Sequence, residues 1–230
     1  MATLHVLRVF TDGAGEWGNP LGVFLDGAEV PAERRQAVAH ELGFSETVFV
    51  DDAERGEIRI FTPGLELPFA GHPTVGTAWL LAHEGIGCDV LRPPAGEIAV
   101  RREVELTFVS ARAEWSPPWE LIELDGPAEI DALDGPLDGR EDEIYVWAWA
   151  DEGAGVVRSR CWSLADGVGE DEATGSAAIM LAAALDRAVT IHQGKGSLLH
   201  AAPLGEGRAE VGGRVALDQS KAVSAESSRL

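Results

Sequence analysis

The chain has 230 residues, 45% of them apolar and 25% charged, with a formal net charge of −21. A chain of this length buries about 70% of its unfolded surface, so a substantial core is expected, and no apolar run approaches the roughly 18 residues a membrane span needs. The N-terminus MATLHVLRVFTDG has no cationic region followed by a long apolar stretch, and the acidic surplus repels phosphate backbones and anionic membranes, so the expectation is a cytoplasmic protein with no nucleic-acid or membrane partner.

In chain order, residues 4–10 alternate and are rich in valine and leucine, which predicts a strand. Residues 11–20 (TDGAGEWGNP) form a turn-rich loop, and 21–25 a second strand. Pro31 starts a helix where its missing N–H costs nothing. Val38 and Leu42 give that helix an apolar i, i+4 stripe, and Gly43 ends it. Residues 47–50 and 57–61 are short strands, and 74–83 (TVGTAWLLAH) is apolar on nearly all sides, the mark of a buried helix. Residues 116–143 are rich in proline, glycine and acids, with one helical turn near Ile130, and read as an inter-domain or surface segment. Strands at 143–150 and 156–162 precede a second buried helix at 174–185 (TGSAAIMLAAAL). Closing strands follow at 189–193 and 210–217, and residues 219–230 read as a frayed tail. Cys88 and Cys161 form no disulfide framework and read as two free buried thiols. Neither has a second cysteine or histidine at ligand spacing, so no metal is expected.

A repeat organises the chain. Arg59-Ile60-Phe61 is followed by a loop, Val75-Gly76-Thr77-Ala78 and a buried helix; Arg160-Cys161-Trp162 is followed by a loop of similar length, Thr174-Gly175-Ser176-Ala177 and a buried helix. Strand–loop–helix units are common enough to coincide, but register, loop length and the small-residue helix start agree here. The expected fold is α+β, with two pseudo-repeated halves, 1–104 and 105–230. Each half is a mostly antiparallel, barrel-like sheet wrapped around a central buried helix. Small residues at both helix starts leave first-turn N–H groups open to a ligand, and a helix N-terminus favours anions. Two of them facing one cleft would hold a carboxylate or an enolate-like oxyanion.

Three stretches can carry chemistry. Phe44-Ser45-Glu46-Thr47-Val48-Phe49 sets a carboxylate among apolar residues where a helix hands over to a strand, although a lone glutamate there is more often a surface group or cap. His72, between glycine and proline just before a buried helix, can orient or protonate a ligand at the helix start; the plainer role is a structural histidine satisfied by backbone. Glu170-Asp171-Glu172 precede the second helix, where Asp171 or Thr174 would cap the first turn and the acids favour the dipole. Capping and catalysis are compatible.

The strings GNPLGVF, SETVF, FTPGLELPFAGHPTVGTAWLL and EDEATGSAA run in this order. They resemble the signatures of the phenazine-biosynthesis PhzF-like proteins, which have the diaminopimelate-epimerase-like fold. The resemblance implies a homodimeric, cofactor-free isomerase that shuttles a proton on a small cyclic or unsaturated carboxylate or amino acid, such as a dihydro-hydroxyanthranilate. It implies that Glu46 is the general base and then the acid, with His72 and Asp171 as further catalytic residues. It also implies that Ser45, Gly71, Gly175 and Ser176 lie near the substrate or its carboxylate. A carboxyl suits such a shuttle if burial raises its pKa from about 4.3 toward about 6 or 7, and Phe44, Val48 and Phe49 are the neighbours expected to desolvate it. Racemases of this fold that use two thiols carry one at each helix start. Here those segments read Ala70-Gly71-His72-Pro73 and Glu172-Ala173-Thr174-Gly175, so a thiol pair is not expected. Glu172 stands where the family pattern has proline, which would loosen the turn and add a charge near the site. That departure speaks for the alternative, a binding or regulatory protein of the same fold that has lost catalysis.

Overall fold

The computed structural model describes residues 2–137, 140, 143–163 and 169–223. Strand β1 (Ala2–Thr11) turns into β2 (Asn19–Phe24), and helix α1 (Ala32–Leu42) crosses to β3 (Glu46–Asp52), which lies parallel to β2. β4 (Glu57–Phe61) and β5 (Glu66–Leu67) follow antiparallel, then α2 (Gly71–His83), β6 (Val90–Leu91), β7 (Ile98–Arg102) and β8 (Thr107–Arg112). The order then recurs. β9 (Glu120–Glu123), the short α3 (Pro127–Asp131) and β10 (Ile144–Asp151) make a second parallel crossover. β11 (Val156–Ser163), β12 (Gly169–Asp171), α4 (Gly175–Leu185), β13 (Val189–Gln193), β14 (Ser197–Gly205) and β15 (Arg208–Val223) complete it. The fold is therefore the expected α+β pair of halves, each sheet curled around one helix.

The repeat extends to single hydrogen bonds. Gly56 (φ 68°) and Gly155 (φ 71°) precede β4 and β11 in left-handed turns that glycine adopts without strain. The Gly56 carbonyl accepts from Arg92 N at 2.7 Å, and the Gly155 carbonyl from Thr190 N at 2.9 Å, each beginning a parallel return after the central helix. The register differs from the sequence reading in one respect. The structural equivalent of Gly175 is Gly71, the first residue of α2, not Gly76. Gly76 lies inside α2 where the helix presses on β1 and β2; a Cβ there would stand 2.5 Å from Leu21 Cδ2 and 2.8 Å from Val9 Cγ2.

Both central helices are apolar all round because both are enclosed. Val75, Ala78 and Leu81 of α2 join Ala178, Ile179 and Leu181 of α4 in one core with the inward residues of both sheets. Smaller cores lie under α1 and α3 on the outer faces. The two thiols are free and buried, Cys88 after α2 and Cys161 in β11.

The sequence reading needs correcting where pairing is non-local. β15 is much longer than residues 210–217. Residues 219–223, read as tail, pair with the start of β1 from Ala2↔Val223 to Val6↔Gln219; residues 224–230 lie outside the described residues. The polar, exposed side chains of Gln219, Ser220 and Lys221 hid a strand whose ladder needs only backbone groups. β7, β8, β9 and β14 were also not anticipated. The 116–143 segment contributes β9 to the sheet beside β10, and its turn near Ile130 is real, with Ile130 fully buried. The β7–β8 hairpin straddles the expected junction at residues 104 and 105.

β15 joins the halves. Its first part pairs with β8 and β14, and its second with β1. At the changeover, Gly212 lies against the Phe108 ring, and a Cβ on Gly213 would stand 2.7 Å from Phe10 Cδ1. Enclosed by these strands, α2 and α4 meet tip to tip. A Cβ on Gly71 would be 2.6 Å from the Gly175 carbonyl carbon, and one on Gly175 3.0 Å from Gly71 Cα. Gly71→Ala should therefore lower the unfolding free energy by about 1–3 kcal/mol through backbone overpacking. Gly87→Ala, at an exposed position with no atom within 4 Å, should stay within about 0.5 kcal/mol of the parent. Urea denaturation of the two variants measures the difference.

Candidate active site

Gly43 (φ 68°) stops α1 in a left-handed turn, and three residues later the chain enters β3 with Glu46 as its first residue. Strand alternation then places Glu46, Val48 and Val50 on the inner face, and Thr47 and Phe49 on the outer one. This corrects the expected desolvating shell. Phe49 belongs to the outer core under α1, with Phe44 packed against it, and Phe44 also lies over Gly22. The apolar walls around Glu46 are Leu67 and Phe69, from the approach to α2, and Trp119.

Those walls enclose a cavity of about 60 Å³ at the meeting point of α2 and α4. Ser45 and Glu46 line it from β3, Gly71 and His72 from the first turn of α2, Asp171 from the end of β12, and Gly175 and Ser176 from the first turn of α4. No arginine or lysine is among the described lining residues. The positive ends available to a ligand are the two helix starts, and neither has a side-chain cap. The capping role considered for Asp171 and Thr174 is thus not what they do. The Thr174 hydroxyl donates to Asp171 Oδ2 at 2.6 Å instead.

Glu46 Oε2 stands 3.3 Å from His72 Nε2, with the two side chains 15% and 4% exposed. A polar network the sequence reading missed ties them to the second half. Asn19, first residue of β2, points its amide nitrogen at Asp171 Oδ1 (2.5 Å), the Ala173 carbonyl (3.1 Å) and His72 Nδ1 (3.4 Å). An amide has two protons, so the two shorter contacts take them. Asn19 Oδ1 accepts from the Ser45 hydroxyl at 3.3 Å. Gln193 Nε2 donates to Thr174 Oγ1 (2.7 Å) and to the Asp171 carbonyl (2.9 Å), while Gln193 Oε1 accepts from Thr174 N (3.1 Å). Asn19 lies inside the GNPLGVF string, but nothing local marks it as a contact between the halves, and Gln193 braces the second half from within.

Burial decides the protonation states. It pulls His72 down to about 4, against the charge of Asp171 and a hydrogen bond to the Pro20 carbonyl, so the imidazole is neutral at pH 7. Burial raises Asp171, and the charge of Glu46 pushes the same way; His72 and the Thr174 and Asn19 hydrogen bonds restrain the rise. Burial also holds the Cys161 thiol well above its usual range, and Cys161 lies in β11 rather than at a helix start.

Glu172 does the opposite of loosening its turn. Its carboxylate accepts from Lys195 N (2.9 Å), Gly196 N (3.2 Å) and the Ser197 hydroxyl (3.0 Å), and so clasps the β13–β14 turn. Ser197 Oγ in turn accepts from Gly18 N at 3.0 Å, and the Trp17 ring lies on Gly196.

Two measurements follow. The folded pKa of His72 lies below the ordinary 6.5, so protonation favours the unfolded chain. The loss of stability from this group begins as pH falls below 6.5 and is complete below about 4; the raised Asp171 acts in the opposite sense. The His72 ring resonances should therefore keep their neutral-imidazole positions from pH 8 to about pH 5, and His72→Asn should flatten the fall in urea midpoint between pH 6.5 and 4. Asn19→Ala removes the 2.5 Å donor of a buried carboxylate and should cost about 1–3 kcal/mol at pH 7, read by chemical denaturation.

Comparisons with known proteins give the chain its family. The profile of the family described as phenazine biosynthesis-like protein, PhzC-PhzF, matches residues 7–153. An uncharacterized isomerase of Mesorhizobium japonicum is 39% identical over 125 residues, covering 50% of this chain and 39% of that protein. A trans-2,3-dihydro-3-hydroxyanthranilate isomerase of Pseudomonas fluorescens is 35% identical over 210 residues, covering 74% of this chain and 75% of that one. The crystal structure of a PhzC/PhzF phenazine biosynthesis protein from Clostridium difficile superposes with a TM-score of 0.79 at 19% identity, covering 97% of this chain and 100% of that one, a likeness of fold. The chain belongs to the phenazine biosynthesis-like protein family, and its fold is the diaminopimelate-epimerase-like one.

Proposed function

We propose that this protein is a cofactor-independent isomerase that moves a proton between carbons of a small cyclic or unsaturated carboxylate or amino acid. The observation that carries the reading is the placement of Glu46. Its carboxylate is 15% exposed, faces a neutral histidine at 3.3 Å, and borders a cavity that also receives two uncapped helix starts. In the proposed cycle Glu46 takes a proton from a substrate carbon and leaves the electron pair to delocalise into the adjacent unsaturation. The carboxylic acid so formed then returns the proton to a second carbon, which balances the reaction without an oxidant or reductant. First-turn N–H groups of α2 and α4 receive the substrate carboxylate or the developing oxyanion, where positioned donors contribute about 3–4 kcal/mol each. His72, neutral and beside Glu46, keeps a proton acceptor or donor within reach of the shuttle.

The binding-protein alternative drew its support from Glu172. Its carboxylate is engaged by the β13–β14 turn, so that substitution has a structural reason and lends the alternative nothing. The substrate named for the Pseudomonas fluorescens relative, trans-2,3-dihydro-3-hydroxyanthranilate, is the first compound to offer. In deuterium oxide the parent protein should convert it with deuterium entering a ring carbon, followed by proton NMR. Glu46→Gln should lower the rate by at least about 10³-fold with an unchanged far-UV spectrum. A Glu46→Gln protein with parental turnover would remove Glu46 as the shuttle.

A further inference from the structure

The cavity has one wall that neither a family string nor the repeat supplies. Between β8 and β9 the chain crosses the tip of α4, and it is fastened there twice to a single residue. The Ser116 hydroxyl donates to the Ser176 carbonyl at 3.1 Å, and Trp119 Nε1 donates to Ser176 Oγ at 2.9 Å. Trp119 is 8% and Ser176 7% exposed, and both line the cavity. A serine hydroxyl has one proton and two lone pairs, whereas an indole nitrogen only donates. With the indole filling one lone pair, the hydroxyl keeps its proton and a second lone pair, and no described protein acceptor receives the proton.

We propose that Trp119 is a positioning residue that fixes the Ser176 hydroxyl as a hydrogen-bond donor into the cavity, so that this corner accepts a carboxylate in preference to its neutral amide. The proposal rests on the reading above only in taking this cavity as the ligand site. An acceptor placed there meets the Ser176 O–H together with the uncapped first turn of α4, all donors. A charged acceptor gains more from such donors than a neutral one. An amide in the same corner can offer those donors only its neutral carbonyl oxygen, where a carboxylate offers two charged ones. The simpler arrangement, in which Ser176 merely satisfies a buried indole, needs no ligand and predicts no preference.

The test uses anthranilate and anthranilamide as probes, with affinities measured by calorimetry on the full chain. The parent should prefer anthranilate. Trp119→Phe keeps the aromatic wall and deletes the N–H; it should weaken anthranilate about tenfold and leave anthranilamide unchanged. Ser176→Ala should do the same, and the double variant should be no worse than Ser176→Ala, because the indole acts only through the hydroxyl. Should Trp119→Phe fail to fold, the indole N–H resonance serves instead: it should shift on adding anthranilate to the parent and stay fixed in Ser176→Ala. A parent without preference for anthranilate, additive losses in the double variant, or equal losses for both probes would overturn the proposal. Because binding alone is read, a failed proton-shuttle experiment leaves this result standing, and the converse also holds.

Discussion

Two helices that meet N-terminus to N-terminus, with only glycine hydrogens between them, set the terms for the rest of the molecule. The approach of Gly71 to Gly175 leaves no room for a Cβ on Gly71 and little for one on Gly175. It also brings two positive dipole ends together, an arrangement that is unfavourable until negative charge is placed beside it. Asp171 and Glu46 supply that charge, and no arginine or lysine is among the described residues around the cavity to compete with them. An acidic protein thereby keeps a pocket able to hold an anion. The local field comes from peptide groups and not from the net charge of −21.

The two carboxylates are treated differently. Asp171 is gripped at both oxygens, by Asn19 and by Thr174, and Gln193 braces its backbone carbonyl. Glu46 stands at the end of a strand with a neutral imidazole beside it. A group locked into a network suits a fixed electrostatic role, whereas one at the margin of the cavity suits proton transfer. That division comes from position: β12 ends inside the web of contacts between the halves, and β3 begins beside the open space.

Much of this was legible in the sequence because it is written in local pattern. Two wholly apolar segments revealed the buried helices to within three residues of their starts, and small residues marked the tips. The Ser45-Glu46 handover followed from Gly43. What stayed hidden depends on pairing across the chain. Asn19 looks like a loop residue until Asp171 is placed beside it. Trp119 sits in a proline-rich stretch with no periodicity, and Glu172 reads as a disruptive charge until the backbone of residues 195–196 turns toward it. The final strand carries exposed polar side chains, so composition argued against it even though its backbone completes a ladder with β1. The same cause displaced the repeat register: Gly76 and Gly71 look alike in sequence, and only packing shows which one meets the other half.

β15 runs unbroken through both sheets, with Gly212 and Gly213 letting it change neighbours without changing direction. It is a common spine. Each stretch of it pairs with one half alone, with β8 and β14 up to Gly213 and with β1 from Arg214 onward, so the strand carries the join between the halves in its own backbone. The donors at the helix tips come one set from each half, so their spacing is governed by the backbone of that single strand at Gly212 and Gly213.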